Sequence, residues 1–167
     1  MPVQVRARVT HGRKLASMSR VDDVASISMI EGVEFVQGSL NLVSNTPVWL
    51  DAGSAIYKSG AQLFWRASLE GTPVILNRWV GGCPVHVFEV FAAVRLRDVL
   101  GLEDGDAVNL EIPDEIVSRS DASLLGRLLW QLFWRYRTRQ IYHDGGYLTF
   151  VRSRAMSRYT WRTMQSG

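Results

Sequence analysis

The sequence predicts a mainly β fold: a barrel of six short strands followed by a helical C-terminal extension with one further short strand. Three observations carry this. Six segments within the first 112 residues show strand-like alternation, or short apolar runs bounded by turn residues. Little helical periodicity separates them, and closing such strands into a barrel removes the edges that an open sheet exposes to other chains. After Asp121 the apolar spacing changes to three and four residues, the mark of an amphipathic helix. With 167 residues, 47% of them hydrophobic, the chain can bury one substantial core; residues 1–115 are expected to form one domain and 116–167 an extension.

Val3-Gln4-Val5-Arg6-Ala7-Arg8-Val9 alternates apolar or small residues with polar ones and opens the fold as a half-buried strand. Thr10-His11-Gly12-Arg13 reads as a turn. A short helix follows from Ser19-Arg20-Val21-Asp22-Asp23 to about Met29, with Ser19 as its cap. Val33-Glu34-Phe35-Val36 leads into Gly38, and Leu40-Asn41-Leu42-Val43 continues as a strand. Gln62 to Leu69 and Val74 to Val80 flank the Glu70-Gly71-Thr72-Pro73 turn and form a hairpin. Val85 to Ala92 is a further strand, in which regular alternation puts His86 and Glu89 on opposite faces. Arg95 to Gly101 fits one or two helical turns closed by glycine. Leu102 to Asp106 makes a tight acidic turn, and Ala107 to Ile112 is the last barrel strand, ended by Pro113.

In the extension, Leu124, Leu125, Leu128, Leu129, Leu132, Phe133 and Tyr136 form one helical stripe. Ser120 or Asp121 can cap its start, and Arg135, Arg137 and Arg139 suit its negative end. Trp130 and Trp134 widen the apolar surface, which implies burial on two sides or a protein interface over residues 121–139. After the His143-Asp144-Gly145-Gly146 turn, Tyr147 to Val151 is the additional strand.

The net charge of +3 is unevenly distributed. Residues 1–118 carry ten Lys/Arg against fourteen Asp/Glu, whereas residues 119–167 carry nine Arg against Asp121 and Asp144. A basic tail can meet nucleic acid, an anionic surface or an acidic protein face, or it can lie on its own acidic body. A single cysteine, Cys83, excludes an intramolecular disulfide and a cysteine-based zinc cage. No apolar run approaches the roughly 20 residues of a membrane helix, and the N-terminus lacks a secretory layout, so a soluble, cytoplasmic protein is expected.

Candidate chemistry gathers in three places. Ser39 and Asn41 stand two apart, so on an extended strand their oxygens point to one face, an arrangement that suits Mg²⁺. Gly38 would let a phosphate approach the backbone; taken alone, Gly38-Ser39-Leu40-Asn41 also fits an ordinary turn. Glu89 is a carboxylate within the apolar run Val85, Val87, Phe88, Val90 and Phe91. It either faces solvent or serves to orient or deprotonate a substrate hydroxyl. Arg95 and Arg97 can grip phosphate by forked hydrogen bonds, or form surface ion pairs with Asp98, Glu103 or Asp104. The three histidines, His11, His86 and His143, lack metal-ligand spacing, and no P-loop or Gly-x-Ser-x-Gly elbow occurs.

Glu34 to Leu42, and then Phe88-Glu89-Val90-Phe91-Ala92-Ala93-Val94-Arg95-Leu96-Arg97-Asp98-Val99-Leu100-Gly101-Leu102-Glu103-Asp104-Gly105-Asp106, resemble the two best-marked blocks of the archaeal-type CTP-dependent riboflavin kinases. That family carries a Gly-Thr-Leu-Asn motif, then Glu-Val-Ile-Ala-Pro-x-x-Leu-Arg ahead of Leu-x-Asp-Gly-Asp, in the same order. The resemblance spans roughly residues 3–112. It implies a six-stranded cradle-loop barrel that phosphorylates riboflavin, or a related small alcohol, from CTP with Mg²⁺ to give FMN. It further implies Ser39 and Asn41 as metal ligands and Glu89 at the phosphorylated end of the flavin. Val94, Arg95, Leu96 and Arg97 would then lie along the pyrimidine nucleotide, together with His11, Gly12 and Arg13.

The sequence departs from the family pattern in three places. Val9-Thr10-His11-Gly12-Arg13 replaces a Gly-x-Gly-x-Gly loop, Ala93 replaces the motif proline, and Val80-Gly81-Gly82-Cys83 stands where a flavin-contacting Thr would be. The alternative reading is a catalytically altered barrel that senses a ligand, or binds nucleic acid or protein through its Arg-rich tail.

Overall fold

The computed structural model describes residues 1–10, 21–44, 46–79 and 85–118. The expected helix at 121–139, the strand at 147–151, the Ser19 cap, His11, Gly12, Arg13 and residues 80–83 lie outside the described residues.

Within them the elements run β1 (Val3–Thr10), α1 (Val21–Glu31), β2 (Leu40–Ser44), β3 (Tyr57–Ser59), β4 (Gln62–Leu69), β5 (Thr72–Trp79), β6 (Val87–Phe91), α2 (Leu96–Leu100) and β7 (Ala107–Ile112). A 3-10 turn, Asp114–Ile116, follows. The strands hydrogen-bond in the order β3-β4-β5-β6-β2-β1-β7. A β4–β7 pairing, Ser68↔Glu111 and Leu69↔Leu110, closes the last six into an antiparallel barrel, and β3 adds to β4 outside it. The fold is therefore mainly β, as the alternation predicts.

The same alternation fills the barrel. Val5, Ala7 and Val9 of β1 point inward with Leu40 and Leu42 of β2, Phe88 and Val90 of β6, and Leu110 and Ile112 of β7. Each large side chain buried this way contributes roughly 1.5–3 kcal/mol. A second cluster lies on the outer face, where Phe64, Ile75 and Phe91 receive Val24 and Ile27 of α1. The rings of Phe64 and Phe91 stand 6.3 Å apart. Glu31 at the end of α1 then pairs with Arg66 of β4 at 2.8 Å, fixing the helix across the sheet.

One end of the interior is polar. Arg78 is buried and donates to the carbonyls of Val48 and Val85, both at 2.8 Å, while its guanidinium lies 4.6 Å from the centre of the Phe88 ring. Carbonyl dipoles thus replace the water that the buried cation has lost. His86 is buried as well. Desolvation, and then the charge of Arg78, push its pKa from 6.5 down to about 3, so the imidazole is neutral.

Three details differ from the sequence reading. The additional strand among the described residues is β3, a three-residue segment too short to show periodicity. Residues 33–39 are irregular and strand structure begins only at Leu40; Phe35 N–H donates to Ser28 Oγ and Val36 N–H to Ala92 O instead of joining a ladder. The β4–β5 hairpin turns on Glu70 and Gly71 alone, both at positive φ, and Thr72 and Pro73 already belong to β5. No helix among the described residues is long and apolar enough to cross a membrane.

Candidate functional site

The site grows out of strand parity. Leu40 and Leu42 turn into the barrel, so Asn41 between them must turn out; Phe88 and Val90 do the same for Glu89. The β2–β6 register makes Asn41 and Glu89 direct partners. Directly opposed side chains have Cβ atoms roughly 4.5–5.5 Å apart, so the amide and the carboxylate are neighbours. Ser39, one residue ahead of β2, donates its Oγ hydrogen to Glu89 Oε1 at 2.6 Å. Its lone pairs remain available to a further partner.

The register carries this polarity across two more strands. Thr10 of β1 pairs with Asn41, and Asn77 of β5 pairs with Glu89, giving a row Thr10, Asn41, Glu89, Asn77 over four strands. Thr10 and Asn77 are buried, whereas Asn41 and Glu89 are half-buried. Thr10, expected in a turn, is instead the last residue of β1, and neither it nor Asn77 is among the sequence candidates. The signal for Asn77 is present in Val74-Ile75-Leu76-Asn77, where an amide interrupts an apolar strand at an outward position. Its Nδ2 donates to Leu63 O at 3.2 Å.

Beside the row, a cleft of about 260 Å³ opens between Gly38, Ser39 and Leu40 on one side and Val94, Arg95 and Arg97 on the other. The two sequence blocks, some fifty residues apart, thus meet in one depression. Gly38 has φ +107, a conformation that side chains rarely adopt, and nothing lies within 4 Å of where its Cβ would be. Its backbone is accordingly open to an approaching group. Val94 and Arg95 are exposed, whereas the side chain of Leu96 packs into the core. Among the described residues, none pairs with the Arg95 guanidinium. Arg97 is engaged: it donates to the Thr10 carbonyl at 3.2 Å and to Asp104 Oδ1 at 2.5 Å.

The donor set suits a hard cation. Ser39 and Asn41 bring a hydroxyl and an amide, oxygen ligands of the sort that Mg²⁺ takes while keeping positions for water and phosphate, beside the Glu89 carboxylate. Among the described residues, no three His, Cys, Asp or Glu side chains gather as a metal site, so a cage of that kind is not an alternative there. His86 belongs to the barrel interior and not to this face.

No protein-family model matches the chain. A riboflavin kinase from Pyrobaculum calidifontis is 52% identical over 46 residues. That stretch covers 28% of this chain and 21% of the relative, so the likeness reaches about a fifth of that protein's length. Over this short span the chain is similar to that riboflavin kinase.

Proposed function

We propose that the chain is a Mg²⁺-dependent phosphotransferase that moves the terminal phosphoryl group of CTP to the 5′-hydroxyl of riboflavin, or of a related small alcohol, giving FMN in the riboflavin case. The observation that carries this reading is the Ser39–Glu89 hydrogen bond beside Asn41, at the lip of a cleft whose far wall presents Arg95.

Phosphoryl transfer asks a protein mainly for positioning and charge neutralisation. Glu89 is the one carboxylate on the polar row; it would accept the acceptor's hydroxyl proton and hold that oxygen in line with the phosphorus. The new O–P bond then forms as the bond from that phosphorus to the donor's bridging oxygen breaks, and the nucleoside diphosphate leaves. Arg95 would bind donor phosphate through its forked N–H groups. Ser39 and Asn41 would hold Mg²⁺, which when bound offsets phosphate charge. Gly38 leaves the backbone beside them open.

The test is incubation of the purified full chain with riboflavin, Mg²⁺ and either CTP or ATP, with separation of the flavins. FMN accumulating with CTP supports the reading. Absence of FMN with both donors, while neither nucleotide binds, overturns it.

A further inference from the structure

Arg95 and Arg97 stand two residues apart at the same cleft, yet the structure gives them different surroundings. Arg97 Nη2 reaches both the Thr10 carbonyl and Asp104 Oδ1. The acidic turn that supplies Asp104 is itself stitched to β1: Val9 N–H donates to Asp106 O at 2.9 Å, and Gly105 N–H to Val9 O at 2.8 Å. Arg8 Nη1 adds a bond to Gly105 O at 2.8 Å, and Leu102 N–H donates to Arg97 O at 2.9 Å. The end of β1, the turn 103–106 and α2 therefore form one hydrogen-bonded body. Thr10, at its edge, is also the cross-strand partner of Asn41.

We infer that Asp104 is a positioning residue for the nucleotide site. It holds Arg97 on the Thr10 carbonyl, so that α2 and the neighbouring Arg95 keep a fixed place relative to the Asn41 edge. Phosphate binding then falls to Arg95 and not to Arg97. This deepens the phosphotransferase reading and rests on it. Two facts favour a positional role over a purely stabilising one. The side chains of Arg97 and Asp104 are 39% and 42% exposed, and pairs so exposed add little to stability. One guanidinium nitrogen also serves a carbonyl of β1 and a carboxylate of the 103–106 turn together, so a single group ties α2 to both.

The experiment compares the full chain with Arg95→Gln, Arg97→Gln, Asp104→Asn and Asp104→Glu. It measures Mg·CTP binding by calorimetry, steady-state rates, and amide exchange at Val9 and Gly105. Arg95→Gln is expected to weaken nucleotide binding about tenfold or more. Asp104→Asn is expected to raise the nucleotide KM about threefold to tenfold with kcat nearly unchanged, because a displaced anchor costs binding before chemistry. It should also speed exchange at Val9 and Gly105 while moving the melting temperature by only a few degrees. Asp104→Glu should recover most of the KM. Tighter nucleotide binding in Asp104→Asn would mean that Asp104 masks Arg97, which overturns the inference. So would an Arg97→Gln defect equal to that of Arg95→Gln with Asp104→Asn silent in KM and exchange. Either result leaves the phosphotransferase reading standing, whereas a wild-type chain that binds no nucleotide overturns both.

Discussion

Asn41 on β2 and Glu89 on β6 are direct cross-strand partners on the outer face of the barrel, and Ser39 closes the group with a 2.6 Å hydrogen bond to the carboxylate. A one-residue slip in either strand would turn one of them into the apolar interior, so barrel closure and site assembly are one event. Glu89→Gln keeps the size and the acceptor oxygen but removes the base. We expect phosphotransfer to fall about 10²-fold or more, with a melting temperature within a few degrees of the parent. A variant that retains parental turnover would remove Glu89 from the chemistry.

Asn41→Ala is expected to raise the Mg²⁺ concentration for half-maximal rate by about tenfold or more, with riboflavin binding largely intact. Chelation should abolish turnover, and added Mg²⁺ should restore it. Titration of the rate with Mg²⁺ in both proteins checks this, and superimposable curves would contradict the assignment.

Gly38→Ala isolates backbone strain, because the added methyl meets nothing within 4 Å while φ is +107. The expected cost is about 1–3 kcal/mol in chemical denaturation, from conformation alone. If stability is unchanged, the Gly38 backbone relaxes without cost and does not fix the lip of the cleft.

His86 sets a pH dependence of stability. Its folded-state pKa lies at about 3, below the ordinary 6.5, so between these values the unfolded chain binds more protons than the folded one. Stability is therefore full above about pH 6.5 and declines as the pH falls toward 3, by at most about 1.4 kcal/mol per pH unit from this group. Urea unfolding at about pH 7.5 and about pH 5 should show the decline in the parent and a shallower one in His86→Gln. Equal slopes would place the imidazole in contact with water.

Phe64 anchors α1 to the outer face of the sheet through Phe91, Ile75, Val24 and Ile27. Phe64→Ala should cost about 3–5 kcal/mol. Amide exchange in residues 21–31 should rise more than in β1, and a uniform rise would argue that helix and barrel unfold only together.

Most of the barrel was legible because its signal is local. Val5, Ala7 and Val9 announce the inward face by period two, and spacing put Ser39 with Asn41 on one face and His86 opposite Glu89; which face is outward in the apolar run around Glu89 came only with the packing of Phe88 and Val90. The closing β4–β7 contact was not legible in residues, since pairing of Ser68 with Glu111 is a relation between segments some forty residues apart. β3 escaped because three residues carry no period. The proximity of Ser39 to Glu89 came from a family resemblance and not from pattern. An ion pair with Asp104 was among the alternatives for either arginine, but that Arg97 takes it together with the Thr10 carbonyl could not be read, because a guanidinium two residues from Arg95 looks identical in sequence. Thr10 and Asn77 were missed since single polar residues in strands are common; only the register aligns them with Asn41 and Glu89.

The most direct measurement of the central claim is transfer of labelled γ-phosphate from CTP to riboflavin under single-turnover conditions, run in parallel on the parent chain and Glu89→Gln. Label appearing in FMN with the parent, slowed about 10²-fold in the variant, is the predicted result. Label that remains in the nucleotide in both proteins, with riboflavin and Mg²⁺ present, would contradict it.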